Sequence, residues 1–203
     1  MVAKVTLQEF PTHSLAFLRF ALASLLLAPF FLAETKKVKI KQKDIPNLIL
    51  IGIFIITFNI TFFFAGIQRT TAIDASILTL IIPMLSVILG WIFLKEKVYT
   101  INLLGIALGF FGALVVIGLP QIILGGYKPE VLLGNILMIL ASVSWVIGAA
   151  ISRKMLKIYP SLIVTAVAFL VGVITFFPPA IREYLMDPGW PERITMLGLL
   201  GLA

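Results

Sequence analysis

The chain has 203 residues, of which 61% are hydrophobic and 12% charged, and its formal net charge is +7 at pH 7. Soluble domains are typically about 45–50% apolar, so this composition excludes an ordinary soluble domain and indicates a protein whose solvent is lipid. Cysteine is absent, which excludes disulfides and thiolate chemistry.

Six apolar segments are each long enough to cross a bilayer as a helix, which takes about 20 residues. In chain order they are 14–33, 47–67, 72–94, 100–118, 131–151 and 160–181, and a seventh begins near Ile194. Membrane β-barrels instead need alternating segments of about 10 residues, and the sequence lacks that alternation. We therefore expect an all-α, polytopic membrane helix bundle with six complete spans and part of a seventh.

The Lys and Arg residues are concentrated in alternate loops. Loops 34–46, 95–99 and 152–159, which follow the first, third and fifth spans, hold ten of the sixteen, whereas the opposite side holds five. Loops rich in Lys and Arg remain in the cytoplasm. We therefore expect these three loops to be cytoplasmic in a multi-pass protein of the cell (inner) membrane. Because the charges lie between apolar runs, we attribute them to membrane orientation and expect no nucleic-acid partner.

The sequence resembles itself at an offset of 149 residues. The matches that carry most weight are Pro11 with Pro160, Pro29 with Pro178 and Glu34 with Glu183. We expect the prolines to mark corresponding helix breaks. The second copy begins five spans after the first, and because five is odd the copies should cross the membrane in opposite directions. Inverted repeats of this kind are found in many secondary transporters.

The repeat also predicts the domain organisation. Residues 1–118 would form a first repeat that lacks its first helix, and residues 119–203 would form the start of a second repeat. Relative to two complete sets of five helices, we expect the chain to be truncated at both ends.

Three stretches of the sequence resemble the EamA family of the drug/metabolite transporter superfamily. They are LAFLRFALASLLLAPFF (15–31), AGIQRTTAIDASILTLIIPMLSVILGWIFLKEKV (65–98) and INLLGIALGFFGALVVIG (101–118). The family pattern matches at Leu18-Arg19-Phe20, Thr70-Thr71-Ala72, Pro83 and Glu96, although Lys95 replaces the usual Gly. The resemblance implies a ten-helix inner-membrane carrier that often exports amino acids or other small metabolites. The resemblance does not identify the substrate.

Pro83 lies near the middle of the third span. It removes an N–H that would bond the carbonyl of Thr79, which costs about 3 kcal/mol inside a soluble helix. In membranes, neighbouring helices, hydroxyls or waters satisfy the freed carbonyl, and the Thr79 hydroxyl is on the same face. Two interpretations are open: a kink that widens a cavity and flexes during transport, or a static kink that improves packing. The family resemblance favours the first interpretation, in which Pro83 and Thr79 line the cavity.

A few polar and aromatic side chains within the spans are further candidates for substrate contacts. Arg19 lies about five residues into the first span, where it either extends to the outer surface or faces a cavity and attracts an anionic group. Asn59 and Phe63 share a helical face in the second span, and Ser142 and Trp145 lie in the middle of the fifth. Such groups either hold helices together or contact a substrate.

The charged residues at span ends are expected to have structural roles rather than to contact a substrate. Glu34, Glu96 and Glu183 should be solvated or paired with neighbouring Lys or Arg. His13 is the single histidine and lies at a span edge, where an interfacial position is expected.

The sequence lacks motifs for enzymatic chemistry or ATP hydrolysis, such as HExxH or a Gly-rich loop followed by Lys-Ser/Thr. We therefore expect no enzyme activity, no cofactor and no metal site. The expected function is secondary-active transport, with export as the favoured direction, of small metabolites such as amino acids by alternating access. Its partners would be that substrate and the lipid bilayer, and a homodimer is left open. The alternative is a channel-like or structural membrane protein without carrier activity.

Overall fold

The computed structural model of the protein describes residues 10–95, 97–123 and 128–193. The helices in these residues are α1 (Thr12–Lys37), α2 (Ile45–Gly52), α3 (Asn59–Ile67), α4 (Ala72–Thr79), α5 (Ile81–Leu94), α6 (Thr100–Ile123), α7 (Pro129–Met155) and α8 (Ser161–Met186). A π-helical segment, Ile53–Phe58, joins α2 to α3, and short 3₁₀ turns occupy Gln42–Asp44 and Trp190–Arg193. The described part of the chain is therefore all-α, as expected.

Five helical segments in the described residues are long and apolar enough to cross a membrane. They are Thr12–Lys37, Gln42–Ile67, Ile73–Ile92, Pro129–Met155 and Ser161–Met186, and they confirm five of the six expected spans. The remaining expected span, 100–118, lies within the helix α6 (Thr100–Ile123) and remains a prediction. The seventh span expected near Ile194 lies outside the described residues.

The chain divides into two compact units, which we describe separately. The first unit contains the described parts of Met1–Ile60 and Ile151–Ala203, and the second contains those of Thr61–Ala150. The repeats predicted at 1–118 and 119–203 are defined by sequence correspondence rather than by contacts, and they remain a prediction.

In the first unit, α1 and α8 pack against each other in antiparallel directions. Ser14, in the first turn of α1, contacts Glu183 near the end of α8. At the other end, Lys41 lies after α1 and contacts Tyr159, which precedes α8. α2 and the π-helical segment pack on α8 as well. This arrangement buries one face of α8 along most of its length.

α1 and α8 correspond to each other in length and position. Each has 26 residues, and both bounds of α8 lie 149 residues after those of α1. Each helix starts directly after a proline with similar backbone angles, φ −58° and ψ 141° at Pro11 and φ −55° and ψ 146° at Pro160. The equivalent residues Phe20 and Phe169 contact each other, with ring centroids 5.5 Å apart. Such a contact is expected of two copies related by a two-fold axis that passes between their centres.

The expectation that both proline pairs mark helix breaks is wrong for one pair. Pro11 and Pro160 precede helices, but Pro29 lies inside α1 and Pro178 lies inside α8. A proline removes one backbone hydrogen bond and crowds one turn. Because each of these helices is packed against the other, the loss of one bond does not end either helix.

The helix break expected from Pro83 lies directly after Thr79, the residue whose carbonyl lacks the N–H of Pro83 as a partner. α4 and α5 are separated by Leu80, which donates its N–H to the carbonyl of Ile77 at 3.0 Å and so closes a tighter turn. Pro83 is then the third residue of α5. N–H groups in the first turn of a helix have no intrahelical partner, so the missing N–H of proline costs little there.

The second unit has a small apolar core formed by helices that are distant in sequence. The buried residues of this core are Ala75, Leu78 and Met138, and the half-buried residues Phe63, Ile67 and Ile81 pack against them. Two glycines bring α3 and α7 close together, because a Cβ added at Gly66 would lie 3.0 Å from the carbonyl oxygen of Gly134. Close approach through small residues is typical of helices in membranes, where dispersion contacts replace the hydrophobic effect.

Gly52→Ala should destabilise the first unit. A Cβ added at Gly52 would lie 2.6 Å from the Cβ of Val171, a buried branched side chain on α8 that cannot turn away. Overpacking of this kind costs about 1–3 kcal/mol, which exceeds the gain of about 1 kcal/mol from replacing glycine in a helix. We expect a lower midpoint of thermal unfolding in detergent, followed by intrinsic fluorescence.

The matched control is Gly105→Ala on α6. An added Cβ at Gly105 meets nothing within 4 Å, so this variant should unfold at the wild-type midpoint or slightly above it. Equal midpoints for Gly52→Ala and the wild type would contradict the close approach of α2 to α8.

Candidate transport site

The residues predicted to contact a substrate are divided between the two units. Arg19 and Asn59 belong to the first unit, and Phe63, Thr79, Pro83, Ser142 and Trp145 belong to the second. In the first unit, Arg19 is exposed on α1 and makes no ion pair with any residue in the described ranges. Asn59 is half-buried at the first position of α3. Whether either residue lines a cavity remains a prediction.

A π-helical segment directly before Asn59 was not expected from the sequence. π-Helical turns are rare and occur frequently at functional sites. Within the segment, the Thr57 hydroxyl lies 2.8 Å from the hydroxyl of Thr175 on α8. Thr175 also donates to the carbonyl of Gly172 at 3.2 Å. Two hydroxyls therefore meet near the middle of their spans, in surroundings that are otherwise apolar.

Three predicted residues lie on α3, α4 and α5 in the second unit. Phe63 is half-buried against the apolar core. The Thr79 hydroxyl donates to the carbonyl of Ser76 at 2.6 Å, so it is satisfied within its own helix. Pro83 is exposed at the start of α5. The hydroxyl of Thr79 therefore makes its hydrogen bond on the N-terminal side of the helix break.

Ser142 and Trp145 are close in sequence on α7 but face different surroundings. Ser142 is 3% exposed, and its hydroxyl donates to the carbonyl of Met138 at 3.0 Å. Trp145 is 41% exposed. The structure therefore places Ser142 inside the second unit and Trp145 on its surface, and it does not combine them into one polar and aromatic patch.

A buried polar pair in the second unit was missed in the sequence. The Thr70 hydroxyl donates to Oδ1 of Asn135, and both residues are buried. Gly134 leaves room for this contact, since a Cβ there would lie 2.8 Å from the backbone nitrogen of Thr70. An unpaired buried polar group costs about 1–3 kcal/mol, so the pair fixes α7 against the turn before α4. The only signal for Asn135 was one amide near the start of a span, which does not distinguish a buried position from an interfacial one.

Glu183 makes a set of hydrogen bonds that contradicts the role expected for it. Its carboxylate accepts from the backbone N–H and Nδ1 of His13 at 3.1 and 2.7 Å, and from the backbone N–H and hydroxyl of Ser14 at 2.7 and 2.8 Å. It thus caps the first turn of α1, where the helix dipole favours a negative charge. The expected pairing with a neighbouring Lys holds for Glu34, which lies 3.2 Å from Lys37. It is wrong for Glu183, because α8 ends beside the start of α1.

A second polar contact holds the opposite end of the same helix pair. The buried Tyr159 donates its hydroxyl hydrogen to Oδ2 of Asp44 at 2.7 Å, and its oxygen accepts from the backbone N–H of Lys41 at 3.1 Å. The bond to the Asp44 carboxylate raises the pKa of Tyr159 above its ordinary value, and the Lys41 N–H opposes this with a smaller effect. The segment after α1 and the segment before α8 therefore lie at one end of the first unit.

The polar groups within the described spans are mainly hydroxyls and amides. No group of three or more His, Cys, Asp or Glu residues in the described ranges could hold a metal ion. Hydroxyls and amides recognise polar groups of small molecules by hydrogen bonding.

Comparison with known families decides the class of protein. Residues 1–118 match the model of the EamA-like transporter family. The chain belongs to the EamA-like transporter family. This confirms the resemblance found in the sequence, and it makes the chain a multi-pass membrane protein of a transporter family rather than an enzyme family.

Relatives named as transporters cover most of the chain. An uncharacterized transporter of Archaeoglobus fulgidus is 28% identical over 201 residues, which is 98% of this chain and 68% of the relative. The uncharacterized transporter YetK of Bacillus subtilis is 31% identical over 194 residues, 90% of this chain and 56% of the relative. An uncharacterized transporter of Clostridium kluyveri is 24% identical over 157 residues, 76% of this chain and 50% of the relative. The chain thus spans from half to about two thirds of these EamA-like relatives. No solved structure matches it significantly.

Tyr159→Phe should lower the thermal stability of the first unit by a few degrees, because the buried Asp44 carboxylate loses a donor. The raised pKa means that the folded protein holds the tyrosine proton more tightly than the unfolded chain. The contribution of Tyr159 is therefore complete below about pH 10, the ordinary value for tyrosine, and is lost as pH rises through the raised pKa.

The difference in melting temperature between wild type and Tyr159→Phe should accordingly be constant from neutral pH to about pH 9 and shrink above about pH 10. Tyr184→Phe, at an exposed tyrosine, should follow the wild type throughout. A difference that grows in alkali would contradict the Tyr159–Asp44 hydrogen bond.

Proposed function

We propose that the chain forms part of a secondary-active carrier that exports small metabolites, such as amino acids, by alternating access. The observation that carries the proposal is the antiparallel pair α1 and α8. In carriers built from inverted repeats, equivalent helices cross the membrane in opposite directions around a central site. α1 and α8 have equal lengths, start after equivalent prolines and meet at the equivalent residues Phe20 and Phe169.

Contacts at the two ends of the pair support the same relation. Tyr159 contacts the backbone of Lys41 at one end. The residues that correspond to them at the repeat offset are Phe10 and Trp190, and their rings lie 5.5 Å apart at the other end. Two copies related by a two-fold axis should make each contact twice, once at each end. These paired contacts favour a carrier over a structural membrane protein without repeats.

The proposed orientation places loops 34–46, 95–99 and 152–159 in the cytoplasm, with the protein in the inner membrane. Two of these loops are joined by the hydrogen bond between Asp44 and Tyr159, which supports their lying on one side. Their excess of Lys and Arg makes that side the cytoplasmic one. In the remaining loop, Glu96 lies outside the described residues.

The proposed substrate contacts are the polar groups of the spans. In the first unit, Asn59 and the hydroxyls of Thr57 and Thr175 lie at or beside the π-helical segment, where they offer donors and acceptors to a polar substrate. Arg19 supplies a positive charge that attracts a carboxylate. In the second unit, the candidates are the residues around the break between α4 and α5, Thr79 and Pro83, together with Phe63, Ser142 and Trp145.

Cysteine labelling tests the inverted arrangement. The chain has no native cysteine, so single cysteines report sidedness without background. At exposed positions, Lys41→Cys and Lys154→Cys should react with an impermeant maleimide from the cytoplasmic side. Gly189→Cys should react from the opposite side. Reaction of Lys41→Cys and Gly189→Cys from the same side would eliminate the inverted repeat.

Counterflow tests transport itself. Vesicles that contain the protein and an unlabelled amino acid should take up the same labelled amino acid with saturation, because a carrier exposes one site at a time. Thr57→Val removes one hydroxyl and should reduce saturable uptake about 5-fold, the effect of one hydrogen bond of about 1 kcal/mol. Thr35→Val, at the end of α1, is the matched control and should keep wild-type uptake. Uptake that never saturates would favour the channel-like alternative.

A further inference from the structure

An apolar groove lies between α5 and α6, at the end where the loop 95–99 joins these helices. Its volume is about 320 Å³, within the range of about 300–1,000 Å³ that is typical of small-molecule sites. The groove belongs to the second unit, and it is lined by the apolar side chains of Val87, Ile88, Trp91, Val98, Leu103 and Ile106. Such a lining suits a hydrocarbon chain and offers little to a polar substrate such as an amino acid.

The groove is bounded at its inner end, away from the loop, and is open at its side. At the inner end, Met84 lies directly against Gly109, since a Cβ added at Gly109 would lie 1.9 Å from Cε of Met84. On the open side, Trp91 is 60% exposed and Leu103 is 57% exposed. At 1.5 Å per residue, Val87 and Trp91 lie roughly 5–10 Å from the end of α5. The groove therefore lies at the depth of the first part of a lipid acyl chain.

The charges beside this groove are positive in the described part of the second unit. Lys95 and Lys97 are exposed in the loop after α5, and Glu96 between them lies outside the described residues. Asp74 lies at the start of α4, which leads into α5, and Glu130 at the start of α7, which follows α6. A whole helical segment thus separates each of these two carboxylates from the loop. A phosphate at the loop end of the groove would therefore meet positive charge.

The backbone at Lys95 is strained. This residue has φ 55° and ψ 32°, in the left-handed region, and its N–H bonds the carbonyl of Gly90 at the end of α5. No other non-glycine residue in the described ranges has a positive φ. A Cβ crowds the backbone in this conformation, so glycine is the usual residue at such a helix end. The lysine side chain therefore supplies something at this position that glycine would not.

We propose that the groove binds one acyl chain of an anionic phospholipid, with the lipid phosphate beside Lys95 and Lys97. Basic pockets between membrane helices on the cytoplasmic side bind anionic lipid headgroups. Tyr99, which is exposed just before α6, adds an aromatic ring at the level of the headgroups, where such rings are enriched. The proposed orientation places this loop at the cytoplasmic leaflet, which carries a negative surface potential. Binding of the lipid requires no transport activity, so the inference does not depend on the carrier mechanism.

Fluorescence quenching of Trp91 tests the groove directly. The chain has three tryptophans, so Trp145→Phe together with Trp190→Phe leaves Trp91 alone. The protein is placed in phosphatidylcholine bilayers that contain a small fraction of either phosphatidylglycerol or phosphatidylcholine with brominated acyl chains. Brominated phosphatidylglycerol should quench Trp91 at least threefold more strongly than the same amount of brominated phosphatidylcholine. Equal quenching by the two lipids would overturn the inference.

The matched control keeps Trp145 alone, through Trp91→Phe and Trp190→Phe. Trp145 is exposed on α7 and does not line the groove, so the two brominated lipids should quench it equally. A preference of the same size at Trp145 would show that phosphatidylglycerol surrounds the whole protein, and it would overturn the specific site. If neither lipid quenches Trp91, a second copy or another part of the protein covers the groove, and the inference is equally wrong.

Substitution of the two lysines tests the headgroup contact. Lys95→Gly combined with Lys97→Gln should abolish the preference for phosphatidylglycerol at Trp91 and leave quenching by brominated phosphatidylcholine unchanged. Lys128→Gln, at an exposed lysine before α7, should keep the preference. A preference that persists in the double variant would eliminate the headgroup site.

Lys95→Gly alone separates loss of charge from loss of structure. Glycine relieves the left-handed strain, so this variant should unfold at a higher temperature than the wild type in a neutral detergent. Its preference for phosphatidylglycerol should nevertheless fall at least twofold. If the double variant does not fold, this single variant decides, and an unchanged preference would overturn the inference.

Leu103→Phe tests whether the acyl chain enters the groove. The larger side chain narrows the groove from its open side and should lower the quenching of Trp91 by both brominated lipids at least twofold. Leu104→Phe, at a similarly exposed neighbour that does not line the groove, is the matched control and should be quenched as the wild type is. Equal quenching in the two variants would show that the chain lies elsewhere.

Discussion

The first unit depends on the antiparallel packing of two 26-residue helices, α1 and α8. Phenylalanine rings fill the centre of their interface, and a few polar groups hold its ends. This distribution follows from the bilayer, where an unsatisfied polar group is costly and apolar surface gains little from burial against other helices. Shape therefore decides how closely these helices approach, and Gly52 and Gly172 supply the space where α2 and the π-helical segment meet α8.

The polar contacts of both units connect segments that are far apart in the chain. Tyr159 bonds the segment before α2, Glu183 caps α1, and Asn135 holds the turn before α4. Each contact lies near the end of an apolar helix rather than deep within it. In such a chain, polar residues near helix ends contribute to which helices are neighbours, together with the shape of the apolar segments between them.

The sequence was sufficient to predict most of the spans and their approximate limits. A run of about twenty consecutive apolar residues is the length that a helix needs to cross the bilayer, and such runs are rare elsewhere. The repeat offset also matched Pro11 with Pro160, the residues that directly precede α1 and α8. Contacts across the fold were harder to foresee. Glu183 looked like an ordinary residue at a helix end, since nothing in its neighbourhood in the sequence reveals His13. Pro83 signalled a break, and the helix is interrupted at Leu80, next to the Thr79 carbonyl that lacks the N–H of Pro83. Pro29 and Pro178 lie inside α1 and α8 without ending either helix, because packing against the other helix maintains them.

The π-helical segment has a consequence for the side chains that follow it. A π-helical turn holds one residue more than an α-helical turn, and each residue of an α-helix advances about 100° around the axis. Asn59, the first residue after the segment, therefore lies in a different angular position from the one that an unbroken helix starting at Ile45 would give it. In a homologous chain that lacked one residue between Ile53 and Phe58, the amide equivalent to that of Asn59 would be rotated about the helix axis by about 100°. Length in this short stretch, rather than the identity of the amide, would then decide which way the polar group points.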